Sequence, residues 1–201
     1  KWRVATESGS GEFDAVILAV PAYAAAGLLG DVHTRLAELL QQIPYSSSVT
    51  VALGYDSAVS LPEGFGFLVP RSEGRHMLAC TFVHNKFPHR APQGWRLLRV
   101  FLGGSSDPHA HELDDSEITT LVRQELREIL GLEAEACFVR IYRWPRAMAQ
   151  YEVGHLERVT EITRLRAELP GLFLAGNAYG GIGVPDCVRE GREAARAAAA
   201  T

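Results

Sequence analysis

Residues 172–200 read LFLAGNAYGGIGVPDCVREGREAARAAAA, and the fold of the chain is read outward from them. Leu172–Ala175 is a short apolar run of the kind that makes a buried strand. Gly176, Gly180, Gly181 and Gly183 follow, and residues without a Cβ let the backbone take positive φ and come close to a ligand. Pro185 suits a first helical turn because its missing N–H would have no partner there, and Asp186 favours the positive end of a helix dipole. Cys187 to Ala200 consists largely of strong helix formers, so a helix is expected to begin near Val184. The unbonded amides at such a start attract negative charge: a phosphate, a carboxylate, or the N1–C2=O edge of a reduced flavin. An ordinary strand–turn–helix corner has the same spacing, and the spacing alone does not separate the two.

The glycines do not form the dinucleotide fingerprint G-x-G-x-x-G, and the chain ends before the ribose-binding acid expected about 20 residues later. No other stretch supplies the fingerprint, so any cofactor touched by this loop would have its first contact outside these residues. At 47% hydrophobic and 22% charged, with a net charge of −4, the chain can bury a sizeable core and lacks the basic excess of a nucleic-acid binder. The three cysteines Cys80, Cys137 and Cys187 are too widely spaced for a C-x-x-C pair and odd in number for a disulfide framework, which points to a reducing, cytoplasmic setting. No run approaches the ~18 apolar residues of a spanning helix, so the membrane contact to expect is peripheral. Opening at Lys1 on KWRVAT, which already alternates like a strand, the chain reads as a fragment.

In chain order, Lys1–Thr6 and Glu12–Val20 flank the Gly/Ser turn at residues 8–11. The apolar run within Phe13–Val20 reads as a strand buried on both faces and ended by Pro21, after which small residues 22–30 lead away. His33–Gln42 reads as a short amphipathic helix stopped by Pro44. Four strand-like runs then follow, SSSVTVALGYD, GFGFLVP, HMLACTFVH and WRLLRVFLGG, whose turn-rich spacing argues an antiparallel sheet. Ser116–Leu130 carries Ile118, Leu121, Val122, Leu126 and Ile129 on one face, a helix stopped by Gly131, and Cys137–Tyr142 supplies another strand. A sheet covered on one face by a helix leaves the other face free to wall a ligand cavity.

Four ordered segments carry a resemblance. AGNAYGGIGVPDC at 175–187, DAVILAVPAYAAAGLL at 14–29, GFGFLVP at 64–70 and RWPRAMAQYEVGHLERV at 143–159 are similar to the C-terminal half of the oxygen-dependent protoporphyrinogen oxidases, within the flavin-containing amine oxidase superfamily. The resemblance spans essentially the whole chain and implies an α+β or α/β fragment of a two-domain FAD-dependent oxidase. Residues 1–30 and 151–201 would belong to the FAD domain and 31–150 to a substrate domain. It implies that Trp144, Ile182, Gly183 and Val184 contact the flavin and that Leu68 and Phe101 line the tetrapyrrole cavity. Phe101 departs from the Met that the family can carry, and Ala149 stands where it often has Pro. The implied reaction is oxidation of protoporphyrinogen IX to protoporphyrin IX with dioxygen, in heme biosynthesis. The implied partner is the missing N-terminal half with its dinucleotide motif, with homodimer formation a further expectation.

Three readings stand side by side at this point. The second keeps the flavoprotein but changes the substrate to coproporphyrinogen III, an amine or a carotenoid precursor; the third is a domain that binds an apolar ligand or serves in assembly. Arg71, Arg90 and Arg99 are candidates for the substrate propionates, though each also fits a solvated surface. His84 with His89 and His109 with His111 lack a third and fourth metal ligand at a known spacing, so no metal site is assigned. Cys80 and Cys137 read as buried packing residues, and no catalytic side chain is nominated.

Overall fold

The computed structural model describes residues 1–56 and 58–201. In chain order its elements begin with β1 (Trp2–Thr6), β2 (Gly9–Phe13), β3 (Val16–Leu18), α1 (Ala22–Leu29) and α2 (Thr34–Gln41). Next come β4 (Tyr45–Tyr55), β5 (Gly66–Leu68), β6 (Met77–Phe82), α3 (Val83–Lys86) and β7 (Arg96–Gly103). The last are α4 (Asp115–Leu130), β8 (Phe138–Ala149), α5 (His155–Ala167), β9 (Leu172–Leu174) and α6 (Val184–Ala199). They form two compact units, one from Lys1–Tyr45 with Met148–Thr201 and one from Ser46–Ala147, so the chain crosses between units twice. The mixed α+β composition agrees with the expected fold class.

In the first unit, β1 and β2 form an antiparallel hairpin, from Trp2 opposite Phe13 to Thr6 opposite Gly9. β3 pairs in parallel with β9, Val16 opposite Leu172, which brings the two sequence ends into one small sheet. The helices α1, α2 and α5 pack with β9 around Ala22, Ala25, Leu36, Leu40, Ile162 and Leu172, each almost wholly buried. Three expectations are corrected here. Residues 22–29 form a helix, not a plain connection, because the alanines at 22, 25 and 26 pack at helical spacing against α2. The strand at 16–18 is not buried on both faces: Ile17 is 38% exposed, since this sheet has only two strands among the described residues. α2 also falls in this unit, where the sequence boundary at residue 30 had put it in the other, because Leu36 and Leu40 bury against α1.

The second unit is a five-stranded sheet in the order β5-β6-β7-β4-β8 with α4 on one face. β4 with β7, β7 with β6 and β6 with β5 are antiparallel. The Cys137 N–H bonds the Gly54 carbonyl at one end of β8 and the Arg146 N–H bonds Ser47 Oγ at the other, so β8 runs antiparallel to β4 as well. Strand alternation decides the faces. Val49, Val51 and Leu53 of β4 and Leu98, Val100 and Leu102 of β7 are buried with Ile118, Val122 and Leu126 of α4, each contributing about 1.5–3 kcal/mol of hydrophobic burial. α4 starts in a capping box: Asp114 Oδ1 accepts from the Ser116 and Glu117 amides while Glu117 Oε2 accepts from the Asp114 amide at 2.8 Å. Gly131, at φ 67°, ends it. Cys80 is buried as expected, and burial pushes its thiol up to about 12. Cys137 is exposed, contrary to expectation, because it precedes an edge strand.

Candidate functional site

β9 delivers the chain into the loop Ala175–Gly183, and α6 leaves it, with Gly183 as N-cap and Pro185 in the first turn. The expected start at Val184 is the observed one. The loop is held from two sides. The Tyr151 hydroxyl accepts the Gly181 N–H at 2.9 Å and donates to the Asn177 carbonyl at 3.0 Å. Arg189, one helical turn into α6, donates to the Gly180 carbonyl at 2.9 Å and to Asp186 Oδ1 at 2.8 Å. These ties leave the amides of Ile182, Gly183 and Val184 with no acceptor among the described residues, and Ile182 and Val184 are 54% and 77% exposed. The unbonded amides at this helix start are donors suited to an anion or a polarised ring edge, so the residues present fit a flavin edge, with the Asp186 carboxylate beside Gly181 and Gly183.

Two of the loop glycines are closely approached by side chains of α6. A Cβ on Gly180 would lie 2.1 Å from Glu190 Oε1, and one on Gly181, at φ 137°, 2.5 Å from the Asp186 carboxyl. The close approach at these two positions is therefore made by the acids of α6 itself. Gly176, at φ 133°, faces open space.

Beneath Tyr151 lies His155, stacked on the phenol ring at a centroid distance of 3.8 Å. His155 is 3% exposed, and neither ring nitrogen has a hydrogen-bond partner among the described residues. Burial, with the Arg158 guanidinium nearby, holds its pKa below the usual histidine value. Burial likewise raises the Tyr151 phenol. The sequence reading missed the Tyr151 tie, which no local spacing encodes. The Asp186–Arg189 pair, at helical i,i+3 spacing, was readable.

In the second unit, Leu68 pairs with Ala79, Ala79 with Phe101 and Phe101 with Thr50, so the two expected cavity residues share one row on the face away from α4. Leu68 is 82% exposed. On β8, Val139 and Ile141 pack toward α4, and Arg143 bonds Asp115 Oδ1 at 2.6 Å, so strand alternation puts Tyr142 and Trp144 on the open face. Trp144 is 51% exposed. Trp144 thus shares a sheet face with Leu68 and Phe101, while Ile182, Gly183 and Val184 lie in the first unit. A cleft of about 640 Å³ between Gly74–His76 and α4 is lined by charges that answer one another, Arg75 with Glu128 and Glu125 with the amides of His76 and Met77. Among the described residues no His, Cys, Asp and Glu side chains cluster as metal ligands, and no helix is long and apolar enough to cross a membrane.

Comparison with known proteins supplies the frame for these two surfaces. The chain is similar to the coproporphyrinogen III oxidase of Bacillus subtilis (strain 168), 34% identical over 184 residues, which cover 90% of this chain and 39% of the relative. It is 29% identical to the chloroplastic protoporphyrinogen oxidase of Nicotiana tabacum, covering 90% of this chain and 35% of that one. A crystal structure from Exiguobacterium sp. 255-15, provisionally assigned as a protoporphyrinogen oxidase, superposes with a TM-score of 0.85 at 35% identity, over 95% of this chain and 42% of its own. The chain therefore spans about two-fifths of the length of the curated relatives it matches. The sequence profile of the flavin containing amine oxidoreductases matches residues 1–199, in agreement with the expected oxidoreductase class and flavin cofactor. With that match running nearly end to end, the chain belongs to the flavin containing amine oxidoreductase family.

Proposed function

We propose that this chain is the C-terminal part of an FAD-dependent oxidase acting on porphyrinogens in heme biosynthesis. The observation that carries the reading is the trio of unbonded amides at Ile182–Val184, at the start of the 16-residue helix α6. When bound, FAD would take a hydride from the porphyrinogen and pass the electrons to dioxygen. The chain's own part is positioning and electrostatics. The amides of Ile182, Gly183 and Val184 would stabilise negative charge at the cofactor edge, aided by the helix dipole. Arg189 neutralises Asp186, which otherwise places a competing negative charge in the same first turn. Leu68 and Phe101 would wall the substrate, and Trp144 would lie against the flavin and exclude water. None of these residues needs to carry a proton.

Protoporphyrinogen IX is the substrate expected from the sequence resemblance. Coproporphyrinogen III is a second reading, favoured by the higher identity to relatives of that name, 34% against 29%. The amide contacts also need a dinucleotide-binding segment that residues 1–201 do not contain, so an N-terminal half is a proposed partner. A cytoplasmic setting, peripheral membrane contact and a homodimer complete the reading. The decisive experiment uses the complete gene product: anaerobic mixing with each porphyrinogen, following bleaching of the flavin. Rapid reduction by one of them establishes the reaction and its substrate. A protein that carries flavin but is reduced by neither overturns it.

A further inference from the structure

Three arginines were candidates for the substrate carboxylates, and the structure separates them. Arg71 donates to Ser105 Oγ at 3.0 Å, and the Arg90 guanidinium lies over the Phe87 ring at 4.6 Å. Arg99 is partly covered, yet its side chain has no hydrogen bond, ion pair or ring contact among the described residues. Its neighbours Leu98 and Val100 are wholly buried toward α4, so alternation along β7 puts Arg99 on the open face, with Phe101 two residues and about 7 Å away. Its register partners are Thr81 on β6 and Ala52 on β4, which bring no charge. A guanidinium without a protein partner beside apolar side chains is stabilised by an anion that can take two parallel hydrogen bonds. The row Leu68, Ala79 and Phe101 beside it offers a flat apolar surface.

We propose that Arg99 is the carboxylate-binding residue of the open sheet face, which makes the ligand of that face a flat apolar body bearing a carboxylate at its rim. The inference rests on the substrate-wall reading above and adds what holds the ligand's charge. A macrocycle without a free carboxylate binds through its apolar faces alone, and one with carboxylates is oriented by the bond to Arg99.

The test is equilibrium binding to the complete gene product, followed by porphyrin fluorescence. The probes are coproporphyrin with free carboxylates and its carboxamide. Wild-type protein is expected to bind the acid more tightly than the carboxamide. Arg99→Gln is expected to lose roughly tenfold to a hundredfold in affinity for the acid, the equivalent of one charge-assisted hydrogen bond, and nothing for the carboxamide. Arg99→Lys is expected to restore part of the loss. A variant Arg99→Gln that melts like wild type and binds the acid as tightly overturns the proposal. Equal wild-type affinity for acid and carboxamide, which needs no variant to fold, overturns it while leaving the substrate wall standing. Binding of neither probe removes both.

Discussion

The Tyr151 hydroxyl joins a carbonyl and an amide of the same loop, Asn177 and Gly181, across a bend that no regular hydrogen-bond pattern spans. Replacing it with Phe keeps the ring stacked on His155 and removes only those two bonds. Tyr151→Phe is expected to lower stability by about 1 kcal/mol, read from thermal melts, and to speed amide exchange at Gly181. His155 offers a second handle. Its folded pKa lies below the ordinary 6.5 because burial penalises the charged ring. The unfolded chain therefore binds the proton first as pH falls, so its contribution to stability is complete above pH 6.5 and declines below it. Melting temperatures measured from neutral to mildly acidic pH should fall, and His155→Phe should flatten that slope. An unchanged slope in the variant would assign the pH dependence to other groups.

Elements whose apolar periodicity is strong were legible before the structure: α2, α4, α6 and the strands β4, β5, β6 and β7 all lie within a few residues of their expected bounds. α1 was not, because an alanine-rich stretch of small residues lacks the polar face that marks an amphipathic helix. β8 runs on to Ala149, beyond the expected Tyr142, and includes Pro145, which an edge strand tolerates and a central one does not. Of the candidate site, the helix start was readable, whereas the Tyr151 tie and the lack of a partner for the Arg99 guanidinium depend on contacts between distant residues. The glycines carry the sharpest test at this scale. Gly66 sits at φ 134°, and a Cβ there would stand 2.0 Å from the Cys80 carbonyl oxygen. Gly66→Ala is expected to detach β5 from β6, seen as faster amide exchange across Gly66–Leu68 and weaker porphyrin binding in the complete gene product. At the other end of the sheet's covering helix, Asp114→Ala should cost about 1 kcal/mol by removing the capping box, again read from melts.

At the scale of the molecule, the contacts proposed for the cofactor involve one loop and one tryptophan, and residues 1–201 hold no G-x-G-x-x-G segment. The chain expressed alone is accordingly expected to be purified without stoichiometric flavin, as checked by the visible spectrum; a yellow one-to-one preparation would show that these residues suffice. The strand β3 has one edge taken by β9 and the other without a partner among the described residues. Exposed edges template pairing between chains, so light scattering of the isolated chain should show association that grows with concentration. The two crossings of the chain have a consequence for engineering. Pro44 and Gln150, either side of the Ser46–Ala147 unit, meet through a backbone hydrogen bond of 2.9 Å, so that unit is an insertion whose entry and exit are clasped together. Such a module can be cut out and its stumps rejoined by a short splice, or exchanged for a relative's, while the remaining scaffold keeps its own core.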